Sequence, residues 1–148
     1  QLEPGEEYQI NQGILAMIKD GAVFKTGEVN AWMDCGNPEI TIQTNSEMLD
    51  FKMAESEQLI DPTATIENST IIPPCFIGPN AVIKDSTLGP GVSVGAKTCV
   101  INSTIKNSLI QENSLIQNFK SEKAMIGNHV HYDGNATFVS IGDYSELR

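Results

Sequence analysis

An aliphatic residue returns at a fixed step through the second half of the chain, and few folds accept such a pattern. From Ile60 the sequence divides into units of six, five and six residues: IDPTAT, IENST, IIPPCF, then IGPNAV, IKDST, LGPGVS, then VGAKTC, VINST, IKNSL. Ile60, Ile77, Val94, Ile110 and Ile126 follow one another at 17, 17, 16 and 16 residues. The polar steps Asn68-Ser69-Thr70, Asp85-Ser86-Thr87 and Asn102-Ser103-Thr104 keep the same interval. A period of this length marks a repeat architecture. An aliphatic residue every five or six positions is neither a helical stripe nor a strand alternation. It suits a triangular coil of three short strands and three corners, each aliphatic pointing inward onto its counterpart one coil away. Gly78, Gly89, Gly91 and Gly95, with Asn68, Asn80 and Asn102, fall near corners, where positive φ is tolerated. Prolines 62, 73, 74, 79 and 90 fall at unit edges, where no ladder needs their missing N–H. The pattern predicts about five coils. After Ile116 it loosens: Phe119–Lys123 reads as a small outward loop exposing Lys120 and Lys123, and a looser terminal coil follows to cover the open end.

Charge and composition exclude several classes of function. Nine basic side chains stand against nineteen acidic ones, a net charge of −10, and Arg148 is the one arginine. Nucleic-acid binding, which needs clustered cations, is disfavoured. No apolar run approaches the roughly 20 residues that span a bilayer, and no basic-then-apolar leader is seen. Three cysteines (Cys35, Cys75, Cys99) without CxxC spacing point to reduced thiols and a cytoplasmic location. Residues 1–59 carry a charge of −8 and residues 60–148 only −2, which marks two regions.

The first region does not repeat. Asn11 is placed to cap a helix carrying Ile14, Leu15 and Ile18, with Ile10 and Leu15 as a hydrophobic staple and Gly21 as its stop. Ala22–Phe24 and Val29–Asp34 read as strands. Asn37-Pro38-Glu39 opens a second helix with a cap, a first-turn proline and a first-turn acid. That helix should run to about Met53 and bury Ile40, Met48, Leu49 and Phe51. Two helices and two strands in under sixty residues cannot close a core alone, so they read as the last pieces of a larger α/β domain.

Two resemblances follow from these residues. The repeat resembles the hexapeptide-repeat left-handed parallel β-helix, and its left hand is implied by that resemblance. Residues 7–51, EYQINQGILAMIKDG…VNAWMDCGNPEITIQTNSEMLDF, resemble the end of the catalytic domain of sugar-phosphate nucleotidyltransferases of the glucose-1-phosphate thymidylyltransferase type. Trp32, Asp34, Gly36, Pro38, Glu39 and Asn45 fall on that family's W-x-D-x-G-x-P-E tract and its closing helix. Many members carry a left-handed β-helix next, and the final GN…IGDYSEL tract also resembles theirs. The implied fold is mainly β: a piece of α/β nucleotidyltransferase domain over 1–55, then a β-helix over 56–148.

The resemblance implies the reaction of a nucleoside triphosphate with a sugar 1-phosphate, giving a nucleotide sugar and pyrophosphate, with Mg²⁺ offsetting phosphate charge. It places Asp34 as a Mg²⁺ ligand at a strand end and Glu7 near the sugar pocket. Alternation along the strand puts Asn30, Trp32 and Asp34 on one face. The family's Thr-Asp is Asn11-Gln12 here. Its glycine-rich G-x-G-T-R loop, activating lysine and first metal carboxylate are absent, and Gln1 is not a methionine. These 148 residues are therefore expected to be an inactive carboxy-terminal fragment, with the β-helix serving assembly, a homo-oligomer as its state, and no nucleic-acid or membrane partner.

Plainer readings stand beside these. Asp34 also suits a turn before Cys35-Gly36-Asn37, and Glu7 lies in an acidic run of solvated charges. His129 and His131, flanking Val130, offer a general base of the kind hexapeptide acyltransferases use, although such a pair is usually structural. Two histidines cannot supply the three-histidine zinc site of γ-type carbonic anhydrases. Cys75 and Cys99 read as fillers of the coil or of its surface, and Lys120 and Lys123 as a solvated loop or an anion site. A standalone scaffold or interaction module, with the first region as its cap, is the second class of function.

Overall fold

The computed structural model describes residues 9–138. It divides into two compact units between Trp32 and Met33, so the second helix belongs with the coils.

In the first unit, α1 spans Ile10–Lys19. Asn11 does not cap it. Gln9 is the extended residue at the start, its carbonyl accepts the Gln12 and Gly13 N–H groups, and Asn11 already lies inside the helix. Ile10 is thereby helical too, and the staple geometry is lost. Gly21 does end the helix: at φ +92 its N–H donates to Ile18 O at 3.0 Å, and Ala22 N–H reaches Met17 O at 2.9 Å. This is the paired closure for which glycine is favoured after a C-cap. The strands expected at Ala22–Phe24 and Val29–Asp34 do not form. A strand exists through its neighbour's N–H and C=O groups, and among the described residues no ladder bond reaches these segments.

In the second unit, α2 spans Pro38–Ala54, with Asn37 Oδ1 accepting the Ile40 N–H at 2.9 Å and Pro38 at the first helical position. Leu49 is buried as expected, but its companion is Ile42. Ile40, Met48 and Phe51 stay exposed. The face turned to the coils is set by Ile42, Asn45, Ser46 and Leu49, an i, i+3, i+4, i+7 stripe with polar residues at its centre.

The rest is a parallel β-solenoid of about four turns. β1 (Thr65–Glu67), β2 (Thr70–Ile71) and β3 (Cys75–Ile77) make the first coil. β4 (Val82–Lys84), β5 (Thr87–Leu88) and β6 (Val92–Val94) make the second, and β7 (Cys99–Ile101), β8 (Thr104–Ile105) and β9 (Ser108–Ile110) the third. β10 (Leu115–Gln117), β11 (Lys120–Ser121) and β12 (Ala124–Ile126) make the fourth, and β13 (His131–Asp133) begins a fifth. Stacked in register, they form three parallel sheets, β1-β4-β7-β10-β13, β2-β5-β8-β11 and β3-β6-β9-β12. Thr87 pairs with Thr104 at a 17-residue step while Val92 pairs with Ser108 at 16. The residue is lost at the corner, where Lys106-Asn107 replaces Gly89-Pro90-Gly91. The outward loop expected at Phe119–Lys123 is not there. Lys120–Ser121 pairs with Thr104–Ile105, because Asn118, at φ +52, turns a corner immediately before that tract. Lys120 and Lys123 are exposed as expected.

Inside, Ile77, Ile83, Leu88, Val94, Val100, Ile105 and Ile116 are fully buried. Asn68, Asp85, Asn102 and Asn118 hold positive φ at one corner column, and Asn80, Lys97, Asn113 and His129 at another. Gly89 (φ +104) is obligatory in the second coil, since a Cβ there would sit 1.9 Å from Ile72 O.

Candidate functional site

The turn that opens the second unit carries Asp34, Cys35, Gly36 and Asn37. Asp34 is exposed, and its Oδ1 accepts the Cys35 N–H at 2.7 Å, which closes the turn on itself. Gly36 lies beside that carboxylate, and a Cβ there would make ordinary contact with Asp34 Oδ2 at 3.4 Å. Two threonines of α2 reach back to the turn. Thr44 Oγ1 donates to Asp34 O at 2.7 Å, and Thr41 Oγ1 to Asn37 O at 2.8 Å and Cys35 O at 3.4 Å. Asp34 therefore presents a hard anionic oxygen on a braced turn.

Mg²⁺ is commonly held by one or two carboxylates plus water and substrate phosphates. The Asp34 carboxylate is an oxygen donor of the type such a site uses. Among the described residues no group of three His, Cys, Asp or Glu side chains could complete a metal site. Glu7 and the closing IGDYSEL tract lie outside the described residues.

The other end of the site is the seam between α2 and the solenoid. α2 runs lengthwise along the β3-β6-β9-β12 face. Glu39 shares a cleft of about 370 Å³ with Asn107 and Lys123 of the later coils, and Met53 lines one of about 640 Å³ at the open first coil. Midway, Asn45 Oδ1 accepts the Ser93 hydroxyl at 2.7 Å, and Asn45 Nδ2 donates to Gly91 O at 3.4 Å. Gly91, at φ +74, has a backbone that favours glycine, and a Cβ there would come within 2.6 Å of both Ser46 Oγ and Asn107 Oδ1, which would have to move. Sequence reasoning missed Ser93 and Gly91 as the seat of α2. The signal was present: in register, the outward column of this sheet reads Phe76, Ser93, Leu109, Met125. Three large apolar residues facing outward announce a covered face, and the one small polar residue among them marks where a polar helix residue docks.

Compared with protein-family models, curated proteins and solved structures, the chain matches none.

The remaining candidates do not converge. His129 is an exposed corner residue at φ +58 whose N–H donates to Glu112 O at 3.0 Å. His131 is exposed on β13, near enough to Asp133 to add a small pull on its carboxylate. Asp133 is held below the usual carboxylate range mainly by the Asn118 side-chain amide, then by the Asn135 N–H. Neither histidine lines either cleft. Cys35, Cys75 and Cys99 are free thiols, and burial pushes the Cys75 thiol up. No helix among the described residues is long and apolar enough to cross a membrane.

Proposed function

We propose that this chain is the carboxy-terminal part of a sugar-1-phosphate nucleotidyltransferase, with the solenoid, of left hand, serving homo-oligomeric assembly. The observation that carries this reading is the apolar surface of the first unit. Trp32 and Val23 are 86% exposed, Ile10 79% and Val29 70%. Apolar residues so concentrated in a short segment mark a surface meant to be covered. The tracts holding three of them, expected as strands, have no neighbouring strand among the described residues. A larger α/β domain would supply that strand and bury Val23, Val29 and Trp32. The W-x-D-x-G-x-P-E residues of the resemblance would then lie where such a domain meets the solenoid.

In that setting Asp34 would hold Mg²⁺, which when bound offsets charge on the triphosphate and the sugar phosphate. The Asp34 carboxylate is kept at its post by its own turn, by Thr44 and by the helix behind it. Glu7 is assigned to the sugar pocket by resemblance alone.

A second reading, a standalone scaffold, is favoured by the solenoid's closed interior: Ile83, Leu88, Val100 and Ile105 are fully buried within the second unit. One experiment separates the two. The protein expressed from its whole coding frame should catalyse Mg²⁺-dependent pyrophosphate exchange, and Asp34→Asn should lower it on the order of 100-fold. The 148-residue chain alone should show none. Turnover by this chain alone, or a coding frame without a glycine-rich nucleotide loop, would overturn the reading.

A further inference from the structure

Thr44 and Asn45 are neighbours on α2 and project about 100° apart around its axis. Thr44 Oγ1 holds the Asp34 carbonyl at 2.7 Å. Asn45 Oδ1 holds the Ser93 hydroxyl on coil 2 at 2.7 Å. One rigid dipeptide thus bridges the carboxylate turn and the solenoid. Ser93 is 8% exposed and Gly91 is buried, so the coil end of the bridge is screened from water, where a satisfied hydrogen bond is strong and its loss costly. The helix between is capped by Asn37, which belongs to the same turn, and pinned on either side of Asn45 by buried Ile42 and Leu49.

We propose that Asn45 and Ser93 are positioning residues that, acting through Thr44, fix the Asp34 turn against coil 2, so that the solenoid sets where the Asp34 carboxylate stands. The inference rests on the nucleotidyltransferase reading only for the use to which that carboxylate is put. The bond also explains two sequence features together: a polar residue at the centre of α2's inward stripe, and a serine in an otherwise apolar outward column.

The test uses the 148-residue chain, with hydrogen exchange followed over residues 33–41, over the end of α2 and over the coils, together with the carboxyl ¹³C resonance of Asp34. Ser93→Ala removes one oxygen and should speed exchange over 33–41 about five- to tenfold, the equivalent of one sheltered hydrogen bond. It should also shift the Asp34 resonance and leave the coils protected. Thr44→Val should free the turn to a similar degree while the end of α2 stays protected. Asn45→Asp, which keeps the acceptor for Ser93, should restore much of what Asn45→Ala loses. Gln43→Ala, whose amide bonds only Glu47 on the exposed side, should change neither readout. A turn and an Asp34 resonance unchanged by Ser93→Ala would overturn the proposal, as would a freed α2 with an undisturbed turn. Because neither readout depends on catalysis, absence of nucleotidyl transfer in the whole protein would sink the function and leave this result standing.

Discussion

Ser103 donates its backbone N–H to Ser86 Oγ at 3.0 Å across one coil, and the Ser86 hydroxyl passes its own hydrogen to Lys84 O at 2.7 Å. The arrangement repeats up the column, with Ser86 N–H on Ser69 Oγ and Phe119 N–H on Ser103 Oγ, both at 3.0 Å. Each hydroxyl satisfies a corner amide that the strand ladders do not reach. Ser103→Ala should therefore strand the Phe119 N–H in a nearly dry site and cost about 1–3 kcal/mol. Ser69→Ala, at the open first coil, should cost less. Denaturant unfolding of the two variants checks the order.

Gly89→Ala should be far worse than its size suggests. The new Cβ would be 1.9 Å from Ile72 O and 2.6 Å from Cys75 Sγ, on a backbone at φ +104. Coils 1 and 2 would have to separate there, at a cost of about 3 kcal/mol or more. Gly27→Ala, with nothing within 4 Å of its added carbon, is the control and should leave the melting temperature unchanged.

The parts of this fold that could be read from sequence are those whose cause is local or periodic. The 17- and 16-residue steps from Ile60 to Ile126 state the coil, and Asn37-Pro38-Glu39 states the start of α2, because capping needs only neighbours. Gly21 states a stop for the same reason. What escaped depends on partners distant in sequence. Ile40 and Met48 looked like core, but Asn45 faces the coils because Ser93, 48 residues on, satisfies it. The tracts at Val23 and Val29 have strand-forming residues and, among the described residues, no strand to pair with. Asn11 missed the cap because Gln9 takes the extended conformation two residues earlier. Asp34 was legible as a turn former, and its brace through Thr44 was not, since a helix propensity says nothing of where a threonine hydroxyl points.

Burial along the inner column predicts a gradient of mutational cost. Ile83 is fully buried, whereas Ile66, stacked on it in the first coil, is 38% exposed. Ile83→Ala should cost about 2–5 kcal/mol, the range for a large residue removed from a packed core. Ile66→Ala should cost clearly less, because solvent already occupies part of the space it would vacate. Equal losses in the two variants would mean that the first coil is covered in solution.

The three thiols should react in the order Cys35, Cys99, Cys75. Cys35 lies exposed on the Asp34 turn and Cys99 half-buried on the outer face of β7. Cys75 is buried, its Sγ bonds Ile72 O at 3.1 Å, and burial raises its pKa. Both the low thiolate fraction and the lack of access slow attack. Timed alkylation with peptide mass analysis should find Cys75 modified only on unfolding, and early labelling of Cys75 would show coil 1 opening.

Acid should loosen the last described coil through Asp133. Its carboxylate accepts from the Asn118 side-chain amide at 2.7 Å and the Asn135 N–H at 3.0 Å, and these bonds hold its pKa below the usual aspartate range. A carboxylate lowered on folding contributes stability above its unfolded pKa, and that contribution fades as pH falls through the lower folded value. In Asp133→Asn the amide oxygen still accepts both bonds and does not titrate. The stability difference between the parent chain and Asp133→Asn should therefore be constant from pH 7 to about pH 5 and should move toward the variant below about pH 4. Melting curves at half-unit pH intervals test this, and a difference that stays flat down to about pH 2 would exclude Asp133 as the titrating group.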